Sequence, residues 1–168
     1  NRLIELTKGS LTLGSLIVEP FSVSHDAADP IGINVFAGND KATVVTDTGV
    51  ISDDILRRLD DTTLLVLEAN YDPHMLRFGP YQPFLKQRVA SDEGHLSNEM
   101  AAQALLMMKR PNFMQVILAH RSENNNNAVL VTQTIGKMLV DGGVRIGPEM
   151  KLQHGQPNEI VSIQSVKR

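Results

Sequence analysis

Leu118-Ala119-His120-Arg121-Ser122-Glu123-Asn124-Asn125-Asn126-Asn127 is an apolar run that stops at a histidine and turns wholly polar. The run starts at Met114, so residues 114–119 read as a buried strand. The asparagines that follow fit two roles. They suit a solvated loop whose last member caps the next helix, and they suit the rim of a site. What the other strands end in bears on that choice.

Working outward, residues 64–67 form a second continuous apolar strand, and Glu68 follows it. Residues 18–23, 33–37 and 42–45 are short, rich in β-branched side chains and bounded by Gly, Pro, Asn or Asp. Gly38-Asn39-Asp40 suits a hairpin turn between the last two. Ser52 is a helix cap for residues 52–59, with Ile55, Leu56 and Leu59 on one face. Helices are also expected over 83–89, 97–109 and 128–140; Pro111 follows the second and Gly142-Gly143 stops the third. Residues 144–146 and 159–163 read as late strands. Hairpin strands come first, and strands then alternate with helices. That order predicts an α/β fold with a mixed sheet, in one domain over 1–168.

The totals narrow the classes. The chain has 168 residues, 42% hydrophobic and 21% charged, which suits a globular domain with its own core. No run of eighteen apolar residues occurs, so no membrane-spanning helix is expected. With no cysteine, a metal would be held by His, Asp or Glu, and a cytoplasmic protein is the natural expectation. The net charge of −3 rules out a general basic coat, so any phosphate contact must be local.

Four strands now end alike. His25 follows 18–23, Asp47 follows 42–45, Glu68 follows 64–67, and His120 follows 114–119. In α/β sheets, neighbouring strands carry their end loops to one rim, where sites gather. Two histidines and an aspartate arriving there suit a hard or borderline metal ion. Taken singly, each also fits a plainer role: a turn histidine, a turn carboxylate bonded to its own backbone, or a paired structural acid.

Five strings carry a resemblance. They are Ser24-His25-Asp26-Ala27-Ala28-Asp29-Pro30-Ile31-Gly32, Thr46-Asp47-Thr48-Gly49, Leu67-Glu68-Ala69-Asn70-Tyr71-Asp72, Gly94-His95-Leu96-Ser97-Asn98, and Leu118 through Asn125. In this order, across about residues 18–131, they resemble the metallo-β-lactamase-fold hydrolases of the WalJ/YycJ branch, a group related to the RNase Z and RNase J nucleases. The resemblance implies an αββα sandwich with two divalent metal ions, Zn or Mn, at one edge. It implies His25 on the first ion, Asp47 bridging both, and His120 on the second. It makes His95 a phosphate-contacting catalytic group and Glu68 the acid that fixes a partner imidazole. Asp26 fits the same supporting role or a simple turn. Ser97, Asn98, Tyr71 and Asn124 would line or shape the substrate site.

Two departures matter. The family's His-x-His-x-Asp-His segment, which supplies three metal ligands and a catalytic acid, is absent from these 168 residues. The chain therefore resembles the C-terminal portion of the fold, and alone it is expected to be a poor enzyme. Tyr71 also stands where a histidine is expected, and with its higher reference pKa it is a weaker proton-transfer group near neutral pH.

For the complete protein the implied activity is a phosphodiesterase, a nuclease of exonuclease type acting on DNA rather than RNA. The attacking hydroxide would come from a water acidified by the two ions. The alternatives are a dimetal hydrolase of a small ester, lactone or amide, or an inactive fragment that serves as an assembly surface. Lys86 with Arg88, and Lys109 with Arg110, fit either phosphate contacts or solvated faces. Nucleic acid is the expected partner, with no membrane and with a homo-oligomer in view.

Overall fold

The computed structural model describes residues 9–163. A seven-stranded sheet runs in simple sequence order: β1 (Leu11–Leu13), β2 (Leu16–Ser22), β3 (Ile31–Ala37), β4 (Asp40–Val45), β5 (Leu64–Glu68), β6 (Met114–Ala119) and β7 (Met150–His154). The first four strands pair antiparallel, and β4 to β7 pair parallel. The mixed α/β sheet expected from the sequence is therefore present.

The parallel half needs crossovers. Helix α1 (Asp53–Leu59) links β4 to β5; α2 (Pro73–Phe78), α3 (Pro83–Val89) and α4 (Asn98–Met107) link β5 to β6; α5 (Ala128–Asp141) links β6 to β7. Because the strand order never reverses, crossovers of one hand place α1, α4 and α5 on one face of the sheet, while Leu76 of α2 and Val89 of α3 pack in a small cluster of their own. The core lies on that face. Phe21, Val45, Leu65, Leu67, Val116, Leu118 and Met150 of the strands pack against Ile55 and Leu59 of α1, Ala101 and Leu105 of α4, and Val131, Ile135 and Leu139 of α5.

Register assigns the alternate residues to the other face. Val18 pairs with Val35, Ile33 with Val44, Val35 with Ala42 and Val44 with Val66, an apolar set. Val44 is nevertheless 40% exposed, and Leu16 and Ile31 are exposed too. Among the described residues the fold is thus one sheet with one helix layer and an uncovered apolar face. No helix of the described residues is long and apolar enough to cross a membrane.

Two expected elements fail. Residues 144–146 and 159–163 form no strand; Ile146 makes only an isolated bridge to Met150. The last strand is β7, whose Met150 and Leu152 meet the core while Lys151 and Gln153 alternate outward. Gln115 and Ile117 face the same way on β6, as the register requires.

Candidate metal centre

The carboxyl ends of β4, β5 and β6 deliver Asp47, Glu68 and His120 to one rim. Asp47 and His120 both sit in the left-handed region, at φ 56° and 51°. Asp and His tolerate that region better than most residues, yet it still costs on the order of 1–2 kcal/mol. The turn makes each side chain leave the strand direction and lean over the sheet edge. Asn70 clasps the turn at His120. Its side chain donates to the His120 carbonyl at 2.8 Å, and its own carbonyl accepts from the Ser122 N–H at 2.9 Å.

Glu68 is the hub. It has no exposed surface, and one of its oxygens takes hydrogen bonds from Nδ1 of His120 at 2.6 Å and Nδ1 of His95 at 2.8 Å. The other oxygen accepts from the backbone N–H of Thr48 at 3.1 Å and of Leu96 at 3.4 Å. Burial pushes the carboxyl up, but the bonds from His120 and His95, with the Thr48 N–H, outweigh it and hold the group below its ordinary pKa. Glu68 is therefore an anion that can only accept. The same bond from Glu68 raises the pKa of His120 against the opposing effect of burial.

His25 arrives from the loop after β2. Its Nδ1 lies 3.0 Å from the Gly94 carbonyl, which can only accept, so Nδ1 carries the proton. A side chain at Gly94 would sit 2.3 Å from the Arg88 and Val89 carbonyl oxygens, so this close approach requires glycine. The imidazoles of His25, His95 and His120 stand in a row, with centroids 5.1 and 5.2 Å apart and His95 in the middle.

Proton bookkeeping now decides what the site wants. All three Nδ1 protons are committed to acceptors, so in the neutral rings every Nε2 presents a bare lone pair. Nε2 of His25 and of His120 lie 3.8 and 3.6 Å from the same oxygen of Asp47. Acceptors thus face an acceptor with no proton between them, an arrangement that a cation resolves. Ligand atoms of Asp47, Glu68, His95 and His120 all fall within 4.8 Å of one another. Because Glu68 is already engaged by two imidazoles, the donors left for an ion are Asp47 and the Nε2 atoms. The donor set fits a divalent metal ion.

The remaining expected residues divide. Asp26 stands 3.5 Å from His25 Nε2 but is gripped by the Arg88 guanidinium through two hydrogen bonds, which hold its carboxyl below the usual range. Ser97 and Asn98, expected at the substrate, are spent inside the protein. Ser97 is buried and caps α4, accepting from the Met100 N–H. Asn98 is fully buried and exchanges two amide bonds with Asn126, at 3.1 and 2.8 Å. Tyr71 is buried beside Leu76 and Val89 and walls an open cavity of about 360 Å³ with Pro73, Arg77 and Lys86. Burial and the charges of Glu99 and Glu68 raise its phenol pKa, so it stays neutral. Asn124 is exposed.

Support of the ligand loop, expected at Asn124 and Asn125, falls to Asn125, Asn126 and Asn127. Asn125 accepts from the Asp72 N–H, Asn126 donates to the Ala69 carbonyl, and Asn127 caps α5. Sequence reasoning missed Asn70 and Asn126, whose only signal is a polar residue just past an apolar strand. Of the basic residues read as phosphate contacts, Arg88 is held by Asp26 and Lys86 by the Arg77 carbonyl. Lys109 is held by Asp61, and Arg110 by the carbonyls of Leu105 and Leu106.

Comparison with known proteins fits this geometry. The profile of the Beta-lactamase superfamily domain matches residues 2–120. The chain belongs to the β-lactamase superfamily. It is 35% identical over 155 residues to "Exodeoxyribonuclease YycJ" of Bacillus anthracis, a match covering 92% of this chain and 59% of that protein. It is 33% identical over 147 residues to "Exodeoxyribonuclease WalJ" of Streptococcus pneumoniae serotype 2, covering 88% and 55%. This superfamily member therefore spans little more than half the length of the curated relatives it matches. Among solved structures it resembles the metallo-β-lactamase fold protein YhfI of Bacillus subtilis (TM-score 0.61, 12% identity, 89% of this chain and 50% of that one). It also resembles Zn(2+)-bound PqqB of Methylobacterium extorquens (TM-score 0.57, 16% identity, 88% and 48%). The metallo-β-lactamase fold thus extends to this chain, and Asp47, Glu68, His95 and His120 form a candidate cluster for a metal ion.

Proposed function

We propose that the complete protein is a metal-dependent phosphodiesterase that degrades DNA from an end, with two divalent ions, Zn or Mn, at the rim described above. The observation that carries the reading is the pair of bare Nε2 atoms, of His25 and His120, that face one oxygen of Asp47. The exodeoxyribonuclease names of two relatives support the choice of substrate. When bound, such ions supply the positive charge that lowers the pKa of a water towards 7 and offsets the charge developing on a phosphodiester.

The chain's own residues have distinct tasks. Asp47, His25 and His120 hold the ions, and Glu68 keeps His120 in the tautomer that exposes Nε2. His95 hangs from the same carboxylate, so its Nε2 faces outward with a fixed orientation. As an imidazolium, with a second proton on Nε2 and Glu68 balancing the charge, it would donate to a phosphate oxygen or pass that proton to the leaving group. Asp26, neutralised by Arg88, limits how far His25 can swing.

We infer that further ligands come from about two fifths of a relative-length protein that lies outside the matched region. The uncovered apolar face around Val44 supports a second layer there. The commitment of Arg88, Lys109 and Arg110 to internal partners favours one rival reading, a hydrolase of a small ester or lactone. The deciding experiment loads the relative-length protein with zinc or manganese and supplies DNA labelled at either end, alongside a simple ester. Stepwise shortening from one end, abolished by chelator and by Asp47→Ala, is expected. Ester turnover with DNA left intact would transfer the assignment to the rival.

A further inference from the structure

The chain between Glu68 and His95 carries α2 and α3, and the cavity these helices enclose has no task in this scheme. Residues 73–90 hold Arg77, Lys86 and Arg88 but no Asp or Glu, in a chain of net charge −3. Tyr71, Phe78, Tyr81 and Phe84 lie in or beside the same stretch, although the whole chain has only five Phe, two Tyr and no Trp. A local composition both basic and aromatic suits a nucleic-acid strand, whose backbone is anionic and whose bases have flat faces.

The open cavity of about 360 Å³ lies where α2 and α3 meet. Tyr71, Pro73, Leu76 and Ala90 give it an apolar wall, and Arg77 and Lys86 line it too. Arg88 is balanced by Asp26, but neither Arg77 nor Lys86 meets a carboxylate among the described residues. The bond from Lys86 to the Arg77 carbonyl, at 2.8 Å, leaves the ammonium charge unbalanced and protons to spare. The Arg77 guanidinium lies 5.3 Å from the centre of the Phe78 ring, which is 67% exposed, and the His74 ring stands 4.6 Å from the same ring. An open apolar slot with two uncompensated cations suits a flat ring that carries an anion.

The chain itself ties this cavity to the metal centre. Ala90 follows Val89, whose carbonyl accepts from the His95 N–H at 3.0 Å. Gln87, at the cavity, precedes Arg88, whose partner Asp26 stands 3.5 Å from His25 Nε2. We propose that the cavity holds one unpaired nucleotide of the DNA strand, flanking the phosphate that is cut. Its base lies against the apolar wall, and its phosphate sits with Arg77 and Lys86. This rests on the nuclease reading above. Pro73, Leu76 and Ala90 cannot read a base edge, so the subsite accepts any base, as stacking and backbone contacts do. A duplex end enters only after one nucleotide unpairs.

The test uses the relative-length, metal-loaded protein with two substrates. One is a set of DNA strands of one sequence, each with a single base-free residue at a different position. The other is bis(para-nitrophenyl) phosphate, a diester with no base and no strand. In the parent, loss of the base at one position is expected to lower kcat/KM about fivefold to a hundredfold, the scale of one stacked base. Ala90→Leu enlarges an exposed side chain at the cavity, and should lower the DNA rate by a similar factor and abolish the sensitivity to the missing base. Arg77→Gln combined with Lys86→Gln should slow DNA cleavage and reduce the slope of log kcat/KM against log salt by about one. Turnover of the nitrophenyl diester and metal content should stay unchanged in every variant. Equal rates on all base-free strands, or a DNA-to-diester ratio that survives the substitutions, would overturn the subsite while leaving the nuclease intact. A lower thermal midpoint with an unchanged ratio would show the cavity covered by the rest of the protein, and would overturn it as well. If the parent turns over the diester but no DNA, the nuclease reading falls and takes the subsite with it.

Discussion

Strand β4 feeds two polar networks, one buried and one at the half-exposed rim, and they differ in kind. In mid-strand, Thr43 donates to the Asn34 side chain at 2.7 Å and stands 2.8 Å from the Thr62 hydroxyl. All three residues are buried, and none has a buried atom without a partner. Four residues on, Asp47 opens the second network, where the chain turns left-handed and carboxylates face bare imidazole nitrogens. The first network is complete as folded. The second has every proton placed and still presents surplus lone pairs. Closure marks a structural network, and an excess of one polarity marks a binding site.

The comparison breaks most sharply at Glu68. Glu68→Ala leaves two backbone N–H groups unpaired in the interior and two imidazole N–H groups unpaired at the rim, and should destabilise the chain by about 3–5 kcal/mol. Urea unfolding measures this, and a loss under 1 kcal/mol would show that Glu68 is not the hub. Next comes Asp47→Asn, which keeps a side chain tolerant of positive φ but removes the charge. Metal affinity should fall by at least the hundredfold that a supporting residue alone can cost, with folding stability nearly unchanged. Calorimetric titration with zinc separates the two quantities.

The same titration repeated across pH sharpens the point. Glu68 raises the pKa of His120, so a proton competes for His120 Nε2 at higher pH than for an ordinary imidazole. Affinity should therefore weaken on acidification, starting above the usual histidine range, and the shift should vanish in His120→Asn.

Thr43→Val tests the closed network. It leaves the Asn34 oxygen and the Thr62 hydroxyl unpaired, costing about 1–3 kcal/mol with no change in metal binding. Arg88→Gln comes last. Its guanidinium is more than half exposed, so the unfolding midpoint should stay where it is, even at low salt. A clear drop would mean that Asp26 and Arg88 order the His25 loop.

The sequence made one half of this picture legible. An apolar run that ends at Asp47, Glu68 or His120 is a local pattern, and the structure brings those residues to one rim. The clasp by Asn70, the Thr48 N–H on Glu68 and the Gly94 carbonyl under His25 were not visible. They join positions 20 to 69 residues apart through backbone groups that no side-chain pattern announces. Helix α2 does carry a local signal, an Asp72 cap followed by Pro73 at the first turn. Strand β7 has Lys, Gln and His in place of β-branched residues, and only its pairing with buried β6 makes it a strand. The β-branched residues at 144–146 and 159–163 lie in segments with no strand neighbour to extend.

Asn70 has a consequence for how an ion would arrive. Its bonds to both sides of His120, like those of Glu68 to His95 and His120, are made by the protein's own groups. The loss of freedom that a flexible site would suffer on loading has thus already been absorbed in building the sheet edge. Filling such a cradle resembles a key entering a fixed lock, with little heat-capacity change and a rate set by dehydration of the incoming ion rather than by motion of the chain.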